Sequence, residues 1–247
     1  MRASHQDVSF EADGETLTGT RVSPLSGKKT ISLLSLHGAG TAVRERVFYL
    51  ADALAPIGAT TFAFDFSGHG TSSGALHEST LARRIVQASA GLRAAELDQP
   101  LLLMGNSMGG FIAASLATKV NSDGLILMCP ALYDDSALDV PFDHRFTEVI
   151  RAQDSYERST LPNRLRNYKG HVLLLIGSDD RVIPHRVIEI YLSSFDSAKS
   201  KELIRISGAP HRLHLWAAEN ARSSASILNP IHGLITRVLN SAKQRSV

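Results

Sequence analysis

Residues 101–110 have the sequence Leu-Leu-Leu-Met-Gly-Asn-Ser-Met-Gly-Gly, and this stretch decides the fold. Its four apolar residues predict a buried strand, and the helical pattern from Gly110 to Lys119 predicts a helix directly after it. Ser107 therefore lies in a sharp strand-to-helix turn, with a glycine two residues away on each side. Glycine avoids collisions in such a turn, and the strain exposes the serine hydroxyl. This context favours a nucleophile over a solvent-exposed turn serine.

Short apolar runs like the one before Ser107 recur along the chain, and each is followed by a turn or helix signal. Near-continuous apolarity over a few residues is typical of parallel strands that are covered by helices on both faces. The segments between the runs have apolar residues at helical spacing, which predicts a doubly wound α/β sheet. Asn229 and Pro230 are predicted to begin the last helix. The apolar runs lie at residues 31–36, 60–64, 101–104, 125–128, 171–176 and 203–206.

The N-terminal stretch has a different pattern. Val8 and Phe10 lie before an Asp13-Gly14 turn, and Leu17 and Val22 lie after it, which predicts an antiparallel hairpin at the edge of the sheet. The whole chain, residues 1–247, is therefore predicted to form one α/β domain.

The composition of the chain argues against several classes of function. The 247 residues have a net charge of +2 and are 20% charged, which gives no electrostatic footprint for nucleic acid or for an anionic membrane surface. The lone cysteine, Cys129, cannot form an internal disulfide. The sequence has neither a signal-peptide pattern nor an apolar run long enough to span a membrane, so a cytoplasmic location is expected. A homo-oligomer is compatible with the sequence.

Two late segments place an acid and a base after predicted strands. Residues 177–184, Gly-Ser-Asp-Asp-Arg-Val-Ile-Pro, follow the run that ends at Ile176, and residues 207–211, Ser-Gly-Ala-Pro-His, follow the run that ends at Ile206. A serine hydroxyl needs a base within hydrogen-bond reach, and that base needs a third group to hold it. With Ser107, these segments resemble the α/β-hydrolase family, and in particular its serine esterases and monoacylglycerol-lipase-like members.

The resemblance implies the fold and the site. It implies a mostly parallel eight-stranded sheet with a small helical lid, and a catalytic triad of Ser107, Asp180 and His211 in that chain order. Asp180, not Asp179, aligns with the family's acid, although the acid pair could instead cap the next helix. His214 lies three residues beyond His211, and the two could in principle form a metal pair, but no ligand cluster accompanies them.

Two glycine-containing segments support this resemblance. His37-Gly38-Ala39-Gly40 resembles the oxyanion loop of the family, so the backbone N–H groups of Ala39 and Met108 are expected to hold the oxyanion. Residues 65–72, Asp-Phe-Ser-Gly-His-Gly-Thr-Ser, resemble a segment common in esterases, and Asp65 and His69 are interpreted as structural support.

An insertion at residues 131–170 breaks the alternation of strands and helices. Insertions of this length are usually functional, so we interpret it as a lid that binds substrate. Its residues 158–169 carry four basic side chains and no acid, and an inward orientation would favour a carboxylate-bearing or phosphopantetheine-linked substrate. Its aromatic side chains and the absence of a strong overall charge favour a small-to-medium acyl or aryl ester.

The sequence therefore predicts a serine hydrolase that cleaves small-molecule carboxylic esters through an acyl-enzyme and needs neither a metal nor an organic cofactor. An acyl thioesterase with the same triad is the nearest alternative. A dinucleotide-binding oxidoreductase is a second alternative, because Gly38-Ala39-Gly40 follows a strand and Asp65 ends the next one, but Val43 stands where the third small residue is expected. A non-catalytic ligand-binding protein on the same fold is the third.

Overall fold

The computed structural model describes residues 3–244, whose strands form one eight-stranded sheet in the order β1-β2-β4-β3-β5-β6-β7-β8. This confirms the predicted doubly wound, mostly parallel sheet with an antiparallel hairpin at its edge. The strands are β1 Ala3–Ala12, β2 Glu15–Pro24, β3 Ile31–Leu36, β4 Ala59–Phe64, β5 Leu101–Asn106, β6 Gly124–Met128, β7 His171–Gly177 and β8 Ser200–Ile206.

The hairpin closes one edge of the sheet. β1 pairs antiparallel with β2 so that Phe10 lies opposite Leu17, and β2 then pairs antiparallel with β4. Every other pairing in the sheet is parallel. The carboxyl ends of the parallel strands therefore meet at one edge, which is where α/β sheets bind their ligands.

The core strands are buried on both faces. All residues of β3, β4, β5, β6 and β7 are buried, as expected for parallel strands between two layers of helices. The helices are α1 Phe48–Leu54, α2 Leu81–Ala94, α3 Met108–Ala117, α4 His144–Arg151, α5 Leu161–Leu165, α6 His185–Ser194, α7 Leu213–Ala218 and α8 Ala221–Gln244.

The turn from β5 into α3 depends on two glycines. A Cβ at Gly105 would lie 2.0 Å from the carbonyl oxygen of Gly109, and a Cβ at Gly109 would lie 2.2 Å from the carbonyl oxygen of Leu36. Both contacts are with backbone atoms, which cannot rotate away. The two glycines therefore allow α3 to pack directly on the strands, and all ten residues of α3 are buried.

The predicted start of the last helix is wrong. We expected Asn229 and Pro230 to begin it, but α8 begins at Ala221 and contains Pro230. Asn220 acts as the N-cap, because its side-chain oxygen accepts a hydrogen bond from the N–H of Ser223 at 2.9 Å. The buried face, which includes Ile227 and Ile231, continues through the proline, and this packing outweighs the lost backbone hydrogen bond.

The segment between β6 and β7 carries two of the short helices, α4 and α5, above the carboxyl edge of the sheet. Tyr133 anchors it to the core, since its ring lies 5.1 Å from that of Phe111 on α3. Within the segment, the ring of Phe146 lies 4.8 Å from that of Phe142. Across residues 3–244, no helix is both long enough and apolar enough to cross a bilayer.

Candidate active site

Three strand ends bring the predicted triad residues together. Ser107 follows β5, Asp180 follows β7 and His211 follows β8. His211 Nε2 lies 3.0 Å from Ser107 Oγ, and His211 Nδ1 lies 2.9 Å from Asp180 Oδ2. These are ordinary hydrogen-bond lengths. Residues that are up to 104 positions apart in sequence thus form one continuous chain of hydrogen bonds.

The protonation of Asp180 sets the direction of these hydrogen bonds. Burial alone would raise the pKa of Asp180, but hydrogen bonds from His211 and from the N–H of Val182 outweigh it, so the pKa lies below its ordinary value. The carboxylate can then only accept. His211 Nδ1–H therefore donates to Asp180, which leaves Nε2 of the neutral ring to accept the Ser107 hydroxyl proton.

The neighbouring candidates are oriented elsewhere. Asp179 is exposed, and its carboxylate accepts a hydrogen bond from Ser178 Oγ at 2.9 Å. His214 is only 8% exposed, and its Nδ1 has no hydrogen-bond partner within the described part of the chain. Of the two acids and two histidines that the sequence offered, the structure joins Asp180 and His211 to Ser107.

Ser107 has a strained backbone. Its φ of 54° and ψ of −118° lie in a region that residues other than glycine rarely adopt, at a cost of about 1–3 kcal/mol. Its N–H donates to the carbonyl of Met128 at 2.9 Å, and its carbonyl accepts from Ala131 at 3.0 Å. The ends of two strands therefore hold the serine with its hydroxyl toward His211.

The loop after β3 packs against the serine turn. A Cβ at Gly38 would lie 3.2 Å from the carbonyl oxygen of Asn106 and 3.5 Å from Ser107 Cβ. His37 Nε2 accepts the N–H of Phe66 at 3.1 Å, so Nδ1 carries the proton and donates to the Gly38 carbonyl at 2.7 Å. This bond fixes the Gly38–Ala39 peptide plane, in which the N–H of Ala39 points in the direction opposite to the Gly38 carbonyl.

Burial and neighbouring cations keep His37 neutral. Burial is the largest cause that holds the pKa of His37 well below its ordinary value, followed by the positive charge of Arg84. The second predicted oxyanion donor, Met108, is the first residue of α3, so its N–H has no partner within the helix. The two predicted donors thus flank the serine, one from a clamped loop and one from a helix N-terminus.

Arg84 places a fully buried guanidinium behind this loop. It lies between the rings of Phe66 and Phe142, at 5.0 and 4.7 Å from their centroids, and Nη1 contacts Met108 Sδ at 3.2 Å. Among residues 3–244, no carboxylate lies within 4.0 Å of it, and burial lowers the pKa of Arg84 to about 9. Its charge contributes to the low pKa of His69, after the larger effect of burial.

The contacts of Asp65 agree with a structural role. Its carboxylate is fully buried, pairs with the guanidinium of Arg44 and accepts the N–H of Arg44 at 2.7 Å. Its backbone carbonyl accepts a hydrogen bond from Ser72 Oγ at 2.6 Å. Asp65 thus ties the loop after β4 to the residues that precede α1, away from Ser107.

Cys129 lies behind the acid. Its sulfur, an Asp180 oxygen and a His211 nitrogen are all within 4.8 Å of one another, which is a spacing that a metal ion could bridge. Burial raises the pKa of the Cys129 thiol, and the Asp180 carboxylate raises it further, so the sulfur keeps its proton. A protonated thiol is a weak hydrogen-bond donor and not a metal ligand. We therefore interpret the cluster as the Asp180 carboxylate accepting hydrogen bonds from both Cys129 and His211.

A cavity of about 560 Å³ opens on one side of Ser107. Apolar side chains of the 131–170 segment and of the β7–α6 connection line most of it. The 131–170 segment contributes residues 131–133 and 150–156, so the parts of the predicted lid that reach this cavity are its first residues and the end of α4 with the turn after it. The apolar lining consists of Ala131, Leu132, Tyr133, Ile150, Ala152, Tyr156, Val182, Ile183, Pro184 and Val187, and the polar lining consists of Ser107, Arg151, Gln153, Asp154 and Ser155.

The basic run at residues 158–169 lies away from this cavity. Arg158 pairs with Asp134 at 2.5 Å, and Arg166 pairs with Asp196 at 3.6 Å. Three other arginines line the cavities beside Ser107: Arg151 lines this one, and Arg46 and Arg212 line a second cavity together with His211. Arg46 and Arg212 were not among the predicted site residues, since neither belongs to a motif and they come from loops far apart in the chain.

Known proteins resemble this chain in sequence. A family model described as "Serine aminopeptidase, S33" matches residues 27–155. Protein phosphatase methylesterase 1 of Bos taurus is 31% identical over 133 residues, which is 51% of this chain but 33% of that protein. The chain thus spans about a third of the length of this curated relative.

Solved structures share the fold along nearly the whole chain. Est1E from Butyrivibrio proteoclasticus, solved with ferulic acid, has a TM-score of 0.71 and 21% identity, over 92% of this chain and 99% of that chain. A thioesterase domain from the curacin biosynthetic pathway has a TM-score of 0.65 and 19% identity, over 91% of this chain and 99% of that chain.

Proposed function

The chain belongs to the serine aminopeptidase S33 family of α/β-hydrolases, and we propose that it hydrolyses carboxylic esters of small-to-medium acyl or aryl groups. The hydrogen-bonded chain Ser107–His211–Asp180 carries this proposal. Esterases share its fold, and the relative with 31% identity is a methylesterase. The loop after β3 weighs against the dinucleotide-binding alternative, because it leads into a 3-10 helix at Arg44–Val47 instead of directly into an α-helix.

The first half of the reaction forms an acyl-enzyme. His211 Nε2 takes the Ser107 proton as Oγ bonds to the acyl carbon, and Asp180 stabilises the resulting imidazolium. The N–H groups of Ala39 and Met108 stabilise the oxyanion, and each such donor is typically worth about 10²–10³ in rate. The bond between the acyl carbon and the leaving oxygen then breaks, and His211 gives its proton to that oxygen.

The second half regenerates the serine. A water molecule attacks the acyl carbon while His211 takes one of its protons, and the proton then returns to Ser107 Oγ as the acid leaves. Two groups support both halves: neutral His37 holds the oxyanion loop through its bond to the Gly38 carbonyl, and buried Arg84 keeps positive charge behind that loop. The relay uses only side chains and backbone amides of this chain.

The largely apolar cavity beside Ser107 determines which acyl groups the site accommodates. Its volume of about 560 Å³ suits a medium-sized acyl chain or a single aromatic ring. Residues 131–170 are proposed as a small lid within a single domain of residues 1–247, because their α4 end covers this cavity. An ester with a long acyl chain would extend past the lid turn into solvent.

Acyl thioesters are the second candidate substrates. One neighbour with the same fold is a thioesterase domain, and the same relay acts on either class. A panel of p-nitrophenyl esters of increasing chain length, run beside acyl-CoA thioesters, tests the proposal. We expect turnover that peaks at short-to-medium esters and is lost in Ser107→Ala. Turnover of neither class, or equal turnover by Ser107→Ala, would overturn it.

A further inference from the structure

A second cavity, of about 380 Å³, opens on the opposite side of Ser107 and is here called the leaving-group cavity. Three cationic or titratable side chains face it alongside His211, and the oxyanion loop and the Ser107 turn form its floor. Its lining consists of residues 38–42, Arg46, Asn106, Ser107, Val182, His211, Arg212 and His214.

The reaction chemistry assigns this cavity to one half of the substrate, and this step rests on the proposed function. His211 must protonate the leaving oxygen or sulfur, so the leaving group lies on the His211 side of the serine. The leaving-group cavity includes His211, whereas the larger apolar cavity includes Ser107 but not His211. The alcohol or thiol portion therefore occupies the cavity that contains Arg46 and Arg212.

This cavity is positively charged and has no acid among its described lining residues. Arg46 donates to the Thr41 carbonyl at 2.7 Å and to Thr41 Oγ1 at 3.2 Å, both neutral acceptors. Within residues 3–244, neither Arg46 nor Arg212 forms an ion pair with a carboxylate. The neighbouring Arg44, by contrast, pairs with Asp65. Arg46 and Arg212 thus line the cavity without a counter-ion from the described chain.

His214 adds a buried polar group to the same cavity. It is 8% exposed, and its Nδ1 has no hydrogen-bond partner within the described residues. Burial lowers the pKa of His214 to about 4, and the charges of Arg46 and Arg212 contribute. A buried ring nitrogen with no partner is costly unless a ligand satisfies it.

We propose that the leaving-group cavity binds an anionic oxygen-rich group, a phosphate or a carboxylate, carried by the alcohol or thiol portion of the substrate. Arg46 and Arg212 supply charge-assisted hydrogen bonds to its oxygens, and His214 supplies a neutral donor. The substrate is then amphiphilic, with an apolar acyl group on the lid side and an anion on the His211 side. No basic residue of the lid is needed for this recognition.

The kinetic test uses two esters that differ in charge but not in shape. 4-Sulfophenyl butyrate and 4-sulfamoylphenyl butyrate carry the same acyl group and similar leaving groups. We expect kcat/KM to favour the sulfonate about tenfold, which is typical of a charge-assisted hydrogen bond, and the preference to fall toward one in Arg46→Gln with Arg212→Gln. Arg93→Gln removes the same charge from an exposed position on α2 and should keep it.

The source of the anion is resolved by a second pair of probes. A butyryl ester of glycerol phosphate and butyryl phosphopantetheine present a phosphate on an alcohol and on a thiol, respectively. The probe with the higher kcat/KM, and with the larger loss in the double arginine variant, identifies the class of substrate. An equal loss for both would assign recognition to the phosphate itself.

A binding measurement separates this inference from the proposed function. Calorimetry on Ser107→Ala, which keeps the cavity, should give at least about tenfold tighter binding of 4-hydroxybenzenesulfonate than of 4-hydroxybenzenesulfonamide. Such binding without ester turnover by the wild type would overturn the proposed function and leave the anion site standing. Turnover of both esters without a charge preference, or a preference that survives in the double arginine variant, would overturn the anion site.

Discussion

The carboxylate of Asp180 contacts His211 Nδ1 at 2.9 Å through one oxygen, while its other oxygen accepts the N–H groups of Val182 at 2.8 Å and Ile183 at 3.1 Å. The side chain is 7% exposed. Both oxygens are therefore occupied by groups that favour the charged form, and the pKa of Asp180 is held below its ordinary value although burial opposes this. The acid is fixed in orientation before any substrate binds.

Asp180→Asn should be far more damaging than Asp179→Asn. An amide at position 180 favours the wrong tautomer of His211, and we expect kcat to fall by about 10³–10⁴. Asp179 is exposed and its carboxylate accepts a hydrogen bond from Ser178 Oγ, not from His211, so its amide variant should lose less than about threefold. Steady-state kinetics on a p-nitrophenyl ester measures both. A larger loss in Asp179→Asn would move the acid to that residue.

Gly105→Ala should destabilise the protein, whereas Gly233→Ala should stabilise it. The new Cβ at 105 would lie 2.0 Å from the Gly109 carbonyl oxygen, so backbone must shift, at a cost of about 1–3 kcal/mol or more. Position 233 lies inside α8, where the nearest atom is Arg237 Nη1 at 3.7 Å, and alanine gains about 0.5–1 kcal/mol. Urea denaturation gives both values. Equal effects at the two positions would contradict the packing described for the turn.

The free energy of unfolding should fall as the pH drops from about 6.5 to 4, in part because of His214. Its pKa is about 4 in the folded protein against 6.5 for the free side chain, so the unfolded chain binds the proton first. The contribution of neutral His214 to the free energy of unfolding is fully present above pH 6.5, and about 3 kcal/mol of it is lost at pH 4. Buried His37 and His69 act in the same direction.

His214→Gln isolates this contribution. Chemical denaturation at pH 7 and at pH 4 should show a pH dependence that is shallower by about 3 kcal/mol in the variant than in the wild type. His77→Gln is a suitable control, since the side chain of His77 is 74% exposed. The same pH dependence in His214→Gln and in the wild type would show that His214 gains its proton as easily in the folded protein as in the unfolded chain.

The sequence predicts the parts of the site that lie at strand ends. Ser107, Asp180 and His211 each follow an apolar run, and parallel strands bring their carboxyl ends to one edge, so the order of runs and turns is enough to place them together. The hairpin follows for the same reason, since period-two alternation around Asp13-Gly14 specifies it locally.

What the sequence leaves out depends on contacts between distant segments. Arg46 and Arg212 meet at one cavity only because the β3–α1 and β8–α7 connections fold over the same serine. Neither sits in a pattern that marks it, and arginines are common on surfaces. The predicted start of α8 is wrong because Asn220 can cap a helix as well as Asn229 can. The burial of the helix face that includes Ile227 decides that α8 begins directly after Asn220.

Covalent labelling tests the role of Ser107 most directly. After reaction with a fluorophosphonate, tryptic peptide mass spectrometry should find one adduct, on Ser107, in the wild type and none in Ser107→Ala. His211→Ala keeps the hydroxyl but lacks the group that accepts its proton, so its labelling should slow by several orders of magnitude. An adduct on another residue, or labelling of Ser107→Ala at the rate of the wild type, would contradict the assignment.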